Sequence, residues 1–187
     1  MIARLSLLIL AFVGALALAS CQTLNEKECT SSDWRTLGAT DGFAGRQQSH
    51  VARHQEACNR FGITVDVTAW QAGWQDGIRR HCTPRNGLDI GLKGRGYSSA
   101  CPADLAFAYR EAYDIGRDVN WAKDAVERLE DELDDAIKAL AVAGPDERQA
   151  AQVEIELKRS ELFRAQNRLN RAERKADLYK LRLATSG

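Results

Sequence analysis

The sequence predicts an all-α protein: a small disulfide-stabilised helical domain followed by a long antiparallel helical hairpin. Two observations predict it. Beyond residue 101 apolar side chains recur in steps of three and four, on either side of one Gly-Pro break. Before it lie Cys29, Cys58, Cys82 and Cys101, three of the four tryptophans and most of the glycines, the latter at helical spacing.

The chain opens with a targeting segment. Arg4 is the only charge before an apolar run from Leu5 to Ala19, which contains Ser6 as its one hydroxyl before the final Ser20. Such a run is long enough for a signal sequence and short of the ~20 residues that a membrane span requires. Small residues before a cysteine make an accessible cleavage site, and Leu18-Ala19-Ser20-Cys21 resembles a lipobox. That resemblance implies cleavage after residue 20 and acylation of Cys21, with the lipid as the membrane partner. Burial of each CH2 is worth ~0.8 kcal/mol, so several acyl chains anchor a protein stably where one does not. Gln22 stands where an aspartate would signal inner-membrane retention, which implies the periplasmic face of the outer membrane.

Charge and cysteine content narrow the function classes. Lys and Arg number 26 and Asp and Glu number 26, so the chain lacks the basic excess of a nucleic-acid binder. Four cysteines in an oxidising compartment read as two disulfides, in any of three pairings. A four-cysteine metal site is disfavoured, because no C-x-x-C pair occurs and the spacings are wide and unequal. No cofactor and no metal are expected.

Residues 21–101 form the first domain. Trp34, Gly38, Asp41, Gly42 and Gly45 make one motif; Trp70, Gly73, Asp76 and Gly77 make a similar one; Tyr109, Tyr113, Asp114 and Gly116 make a degenerate third. Ser32 or Asp33 suits the N-cap of the first segment and Asp66 that of the second. On a helix Gly38 and Gly42 share a face, as do Gly73 and Gly77. Glycine costs a helix ~1 kcal/mol relative to alanine, so its repetition points to close approach of another backbone under a covering Trp. The motifs are not phosphate loops, for no Gly-Lys-Ser/Thr follows them.

Residues 102–187 form the second. Pro102 and Asp104 suit a first helical turn. Val119, Ala122, Val126, Leu129, Leu133, Ala136, Leu140 and Ala143 then mark a heptad seam. Gly144-Pro145 stops it, with Asp146 and Glu147 in the next first turn. A second seam runs through Ala151, Ile155, Leu162, Ala165, Leu169, Ala172, Ala176, Tyr179 and Leu183, broken only by Lys158. The short connection predicts an antiparallel pair, with pairing between molecules through the same seams as the alternative. Acids crowd Asp124–Asp135, and bases crowd 158–182, where Arg164, Arg168, Arg171, Arg174 and Lys175 form a strip. A solvated face explains the strip more simply than an anionic lipid surface does.

The succession Glu28-Cys29, Asp33-Trp34, Gly38-x2-Asp41-Gly42-x2-Gly45, His54-x3-Cys58 and Trp70-x2-Gly73-x3-Gly77 continues into a second set. There His81-Cys82-x-Pro84-x-Asn86-Gly87 and Gly91-x2-Gly94-x2-Tyr97-x3-Cys101-Pro102 precede Ala112-Tyr113-x2-Gly116-Arg117. Together these resemble the bacterial lipoproteins of domain of unknown function family 2799, over roughly residues 21–120. Trp70 and His81 replace tyrosines that the resemblance leads one to expect. The family carries no established activity, so the resemblance implies no catalytic roles.

Candidate chemistry is sparse. His50 and His54 stand four apart, a spacing that can bind zinc, but no third ligand is evident and an exposed polar pair is the simpler reading. His81 beside Cys82 does not make a reactive pair, since neighbours on a helix point apart. Asp41 and Asp76 could serve as paired carboxylates on cell wall, but capping or bonding a helix end explains them better. The glycine-rich segment 86–97, read as a loop, offers a binding surface with Lys93, Arg95 and Tyr97 beside Asp41 and Asp76. The sequence therefore predicts a non-enzymatic envelope lipoprotein whose hairpin engages a protein partner. A peptidoglycan or small-ligand binder is the alternative, and an envelope hydrolase comes third.

Overall fold

The computed structural model describes residues 24–185; Cys21 and the targeting segment lie outside them. The described residues are helical with no strand. They form two compact units, one ending at Ile78 and one starting at Arg79. The division falls inside a helix, whereas composition changes at Cys101-Pro102; glycine and cysteine content tracks close helix packing, which both units contain.

In the first unit, α1 (Glu26–Ser31) begins at a capping box. Asn25 accepts from the Glu28 N–H, and Glu28 returns a bond to the Asn25 N–H. Asp33 caps α2 (Trp34–Phe43) by accepting from the N–H groups of Arg35 and Thr36. A 3-10 turn at Gln48–His50 leads into α3 (Val51–Asn59), and Asp66 accepts from the Ala69 N–H at the start of α4 (Val67–His81). The Cys29–Cys58 disulfide joins α1 to α3. Around it Leu24, Ala57 and Val65 are buried, with Trp34, Leu37 and Ile63 packed against them.

The glycine motifs are the two sides of one interface. A Cβ on Gly38 would overlap the Trp70 carbonyl oxygen, and one on Gly42 would stand 2.7 Å from the Ile78 nitrogen. From the other side, Gly73 faces the Arg35 carbonyl and Gly77 faces Ala39 and Phe43. The contacts advance together along both segments, so α2 and α4 run in the same direction with their backbones touching.

The second unit repeats this arrangement. Thr83 caps α5 (Pro84–Leu92), with proline at its first position. The Cys82–Cys101 disulfide ties the residues just before α5 to those just before α6 (Ala103–Val142). Gly87 lies against Tyr109 and Ala112, and Gly91 against Tyr113, Gly116 and Arg117. Thus α5 and the start of α6 pack as α2 and α4 do. The segment 86–97 is accordingly not a loop: residues 86–92 are helical, and only Lys93 onward leaves the helix. Gly87 and Gly91 serve packing, whereas Gly94, with φ of 64°, ends α5 as Gly45 at 73° ends the turn after α2.

Beyond that pair α6 continues for 40 residues in all and α7 (Arg148–Thr185) for 38, about 60 Å each. They form the predicted intramolecular hairpin. Every seam residue is buried or half-buried. Val126 and Leu129 pack with Ala165, flanked by Leu162 and Leu169. Nearer α5, Ala112, Ile115 and Leu88 pack with Ala176 and Tyr179. Lys158, the one polar seam residue, is accommodated because its ammonium pairs across the hairpin with Glu132. Gly144–Glu147 forms the connecting turn, in which the Arg148 N–H bonds the Gly144 carbonyl.

Candidate functional site: a buried carboxylate between two histidines

Asp41 lies on α2 between the two close-approach glycines, which seat its carboxylate against α4. There Trp70 Nε1 donates to Oδ2 at 3.0 Å. Gly45 turns the chain back so that the Arg46 N–H bonds the Asp41 carbonyl. The Arg46 side chain then returns over the carboxylate, with Nε 3.2 Å from Oδ1. The 3-10 turn and the start of α3 bring two histidines to the same place. His54 Nε2 lies 2.7 Å from Oδ2 and His50 Nε2 3.9 Å from Oδ1. Asp41 is 5% exposed and His54 3%. The reading of the histidines as an exposed pair is therefore corrected: the 3-10 turn that ends at His50 runs straight into α3, so His50 and His54, four residues apart, share the face turned inward.

The protonation pattern follows from the partners. Burial by itself would raise the Asp41 pKa, but the His54 and Trp70 hydrogen bonds outweigh it and hold the group below the usual carboxylate range. An ionised Asp41 only accepts, so His54 Nε2 carries the proton and donates. His54 Nδ1 is buried and without a hydrogen-bond partner. For His50, burial lowers the pKa and outweighs the attraction of Asp41. Its Nε2 lies 3.2 Å from Arg46 Nη1, and a guanidinium only donates, so that nitrogen presents its lone pair. Asp41, His50 and His54 thus converge, with one ligand-type atom from each within 4.8 Å of the others.

The second unit shows what the scaffold needs. By its place before Gly91, Ile90 corresponds to Asp41, and it is buried and apolar. Tyr109 stands where Trp70 does, and its hydroxyl bonds His81 Nε2 at 3.0 Å. Burial pushes that phenol up to about 12, so it stays protonated. The helix pair packs there with no carboxylate, so Asp41 is not demanded by the packing.

The other predicted site residues do not join this cluster. Asp76 is exposed and pairs with Arg35 at 2.6 Å, so it neither caps a helix nor faces Asp41 as a second carboxylate. Asp41 caps no helix either; its carboxylate meets side chains. Lys93 and Arg95 both pair with Asp89, at 2.8 and 3.4 Å. The Tyr97 ring lies beside Tyr109 and Tyr113 beneath the Arg110 guanidinium, 4.4 Å from its centroid. A cleft of about 310 Å³ bordered by Arg85, Leu88, Leu92, Lys180 and Leu183 lies between α5 and α7.

The sequence did not show Asp41 as the partner of the histidines, since 13 residues separate it from His54. A signal was present in the recurrence of Gly-x3-Gly-x2-Gly at 38–45 and 87–94, which aligns Asp41 with Ile90 and exposes the carboxylate as an addition.

Among the described residues no helix is long and apolar enough to cross a membrane. No curated protein and no solved structure matches the chain. Residues 33–118, the segment that holds both glycine-packed helix pairs, match the model of the family described as Protein of unknown function (DUF2799), which supports the membership that the motifs imply.

Proposed function

We propose that this chain is a lipid-anchored module of the bacterial cell envelope. It is acylated at Cys21, held at the periplasmic face of the outer membrane, and binds another envelope protein through its hairpin without catalysing a reaction. The anchor rests on Leu18-Ala19-Ser20-Cys21, and the two disulfides suit an oxidising compartment. A non-catalytic role accords with the separate partners of Asp41 and Asp76.

One observation carries the binding role. Val153, Leu157, Phe163, Leu178 and Leu181 of α7 are all exposed. At 3.6 residues per turn they fall within about a third of the helix circumference, opposite the seam that faces α6. Scattered exposed apolar residues need no explanation, but a second stripe along one helix marks a surface for a partner. Arg164, Arg171 and Arg174 interleave with it, so the partner surface is apolar and acidic.

In-cell photo-crosslinking with probes at Leu157, Phe163 and Leu178, and in parallel at Lys93 and Tyr97, tests this reading. A discrete protein adduct, absent when the probe sits at the seam residue Ala165, is the expected result. Adducts confined to Lys93–Tyr97, or to glycan strands, would move the function to a ligand-binding surface there. Abundant bystanders alone would overturn the adaptor role. Separately, Cys21→Ala should release the protein from the membrane fraction.

A further inference from the structure

We propose that Asp41, His50 and His54 form a binding site for a divalent transition-metal ion of the zinc class, which the Arg46 guanidinium closes when no ion is bound. The proposal is independent of the hairpin's role. One carboxylate and two imidazoles are a ligand set that suits zinc, and a fourth position is left for water or a further ligand.

Three observations on the cluster support it. The scaffold does not require the carboxylate, since the second unit packs with the buried Ile90 at the corresponding position. A cation already sits here: the Arg46 guanidinium lies 3.2 Å from both Asp41 Oδ1 and His50 Nε2, bridging two of the three ligand groups. Arg46 is also half-exposed, with half of its side-chain surface open to solvent, so it can leave without opening the core.

The exchange balances. An entering ion takes Asp41 Oδ1 and His50 Nε2 from the guanidinium, which swings into water. His54 Nε2 gives up its proton and binds through the freed lone pair. In the bound form His54 is the neutral imidazole with its one proton on Nδ1, an atom that no other group occupies. The positive charge beside Asp41 is exchanged rather than lost.

The test titrates Zn(II), and Co(II) as a spectroscopic probe, into the full chain carrying Cys21→Ser, which removes the free thiol. The expected result is one ion per chain with the visible absorption of a low-coordinate Co(II) site. His50→Ala should weaken binding at least ~10-fold, by loss of a ligand. Arg46→Gln should tighten it several-fold, by removing the competitor. His50 lies at the edge of the cluster, so this variant keeps the buried Asp41–His54–Trp70 bonds, and circular dichroism checks its fold. Binding unchanged in His50→Ala would mark an adventitious ion and overturn the proposal. So would the absence of binding in both the parent and Arg46→Gln, which would leave the cluster as a structural network.

Discussion

Trp74 donates its indole N–H to the Arg46 carbonyl at 2.8 Å. In the second unit the Tyr113 hydroxyl donates to the Arg95 carbonyl at 3.1 Å. Arg46 and Arg95 each follow a positive-φ glycine, Gly45 and Gly94, and each N–H bonds the carbonyl five residues back, Asp41 or Ile90. An aromatic on the later helix of each pair thus pins the turn that ends the earlier one. The recurrence of glycines, turn and pinning aromatic makes the two units variations on one helix-pair design.

Tyr113→Phe isolates that bond, because it removes one hydroxyl and keeps the ring. The net worth of such a hydrogen bond is about 1 kcal/mol. Urea unfolding should show a loss of that size with an unchanged m-value. A loss near zero would mean that water satisfies the Arg95 carbonyl equally well.

Gly73→Ala should destabilise although alanine is the better helix former. At an unobstructed helical site the change gains up to about 1 kcal/mol. Here the added Cβ would overlap the Arg35 carbonyl and stand 2.9 Å from the Ala39 nitrogen, and backbone cannot swing aside as a side chain can. Overpacking of this kind costs about 1–3 kcal/mol or more. Gly116→Ala, which faces Leu88 and Leu92, should behave alike, while Gly96→Ala meets nothing within 4 Å and serves as the control. Equal stability of all three variants, by thermal unfolding, would refute the close-approach account.

The hairpin was legible in the sequence because a seam with Gly144-Pro145 at its turn has one simple antiparallel solution. Lys158 alone looked misplaced, and its partner Glu132 became visible only when the helices were paired. Gly38, Gly42, Gly73 and Gly77 read from sequence as close-approach positions, yet as copies of a motif; only the fold makes them two faces of one contact. Gly87 and Gly91 read as a loop in sequence because glycine density mimics a turn-rich segment; Thr83-Pro84, a cap followed by a first-turn proline, is the contrary signal. Disulfide pairing and the Asp41–His54 contact depend on tertiary placement, which local periodicity does not encode.

Acid should weaken the first unit in two steps, measured with a chelator present. The folded pKa of His50 lies below its ordinary value of 6.5. Below that pH the unfolded chain therefore takes up the proton first, and stability falls as pH drops. Asp41 also sits below its ordinary value, 3.8, so its contribution is complete above that pH and is lost as pH falls through the folded pKa. Both steps have the same sign: burial dominates at His50, Arg46 and Arg53 add to it, and Asp41 opposes it. His50→Gln should flatten the upper step in a plot of Tm against pH and leave the lower one. A Tm that rises on acidification from pH 7 to 5 would contradict the assignment.

Each disulfide closes its own unit, Cys29–Cys58 over 29 residues and Cys82–Cys101 over 19. Loop closure of that size stabilises by about 3 kcal/mol, and the two loops should differ by only about 0.4 kcal/mol. Cys29→Ala with Cys58→Ala should therefore cost nearly as much as Cys82→Ala with Cys101→Ala. Set against a typical total of about 5–15 kcal/mol, loss of both would remove a large share of the stability. Reduced protein should accordingly unfold at much lower temperature than oxidised protein, and non-reducing peptide mapping should recover only the Cys29–Cys58 and Cys82–Cys101 pairs. A crossed pair, or a Tm indifferent to reductant, would contradict the pairing and the stabilising role respectively. The α6–α7 hairpin gives an internal reference: its seam from Val119 onward contains no cysteine, so its helicity should outlast reduction if that segment folds on heptad packing alone.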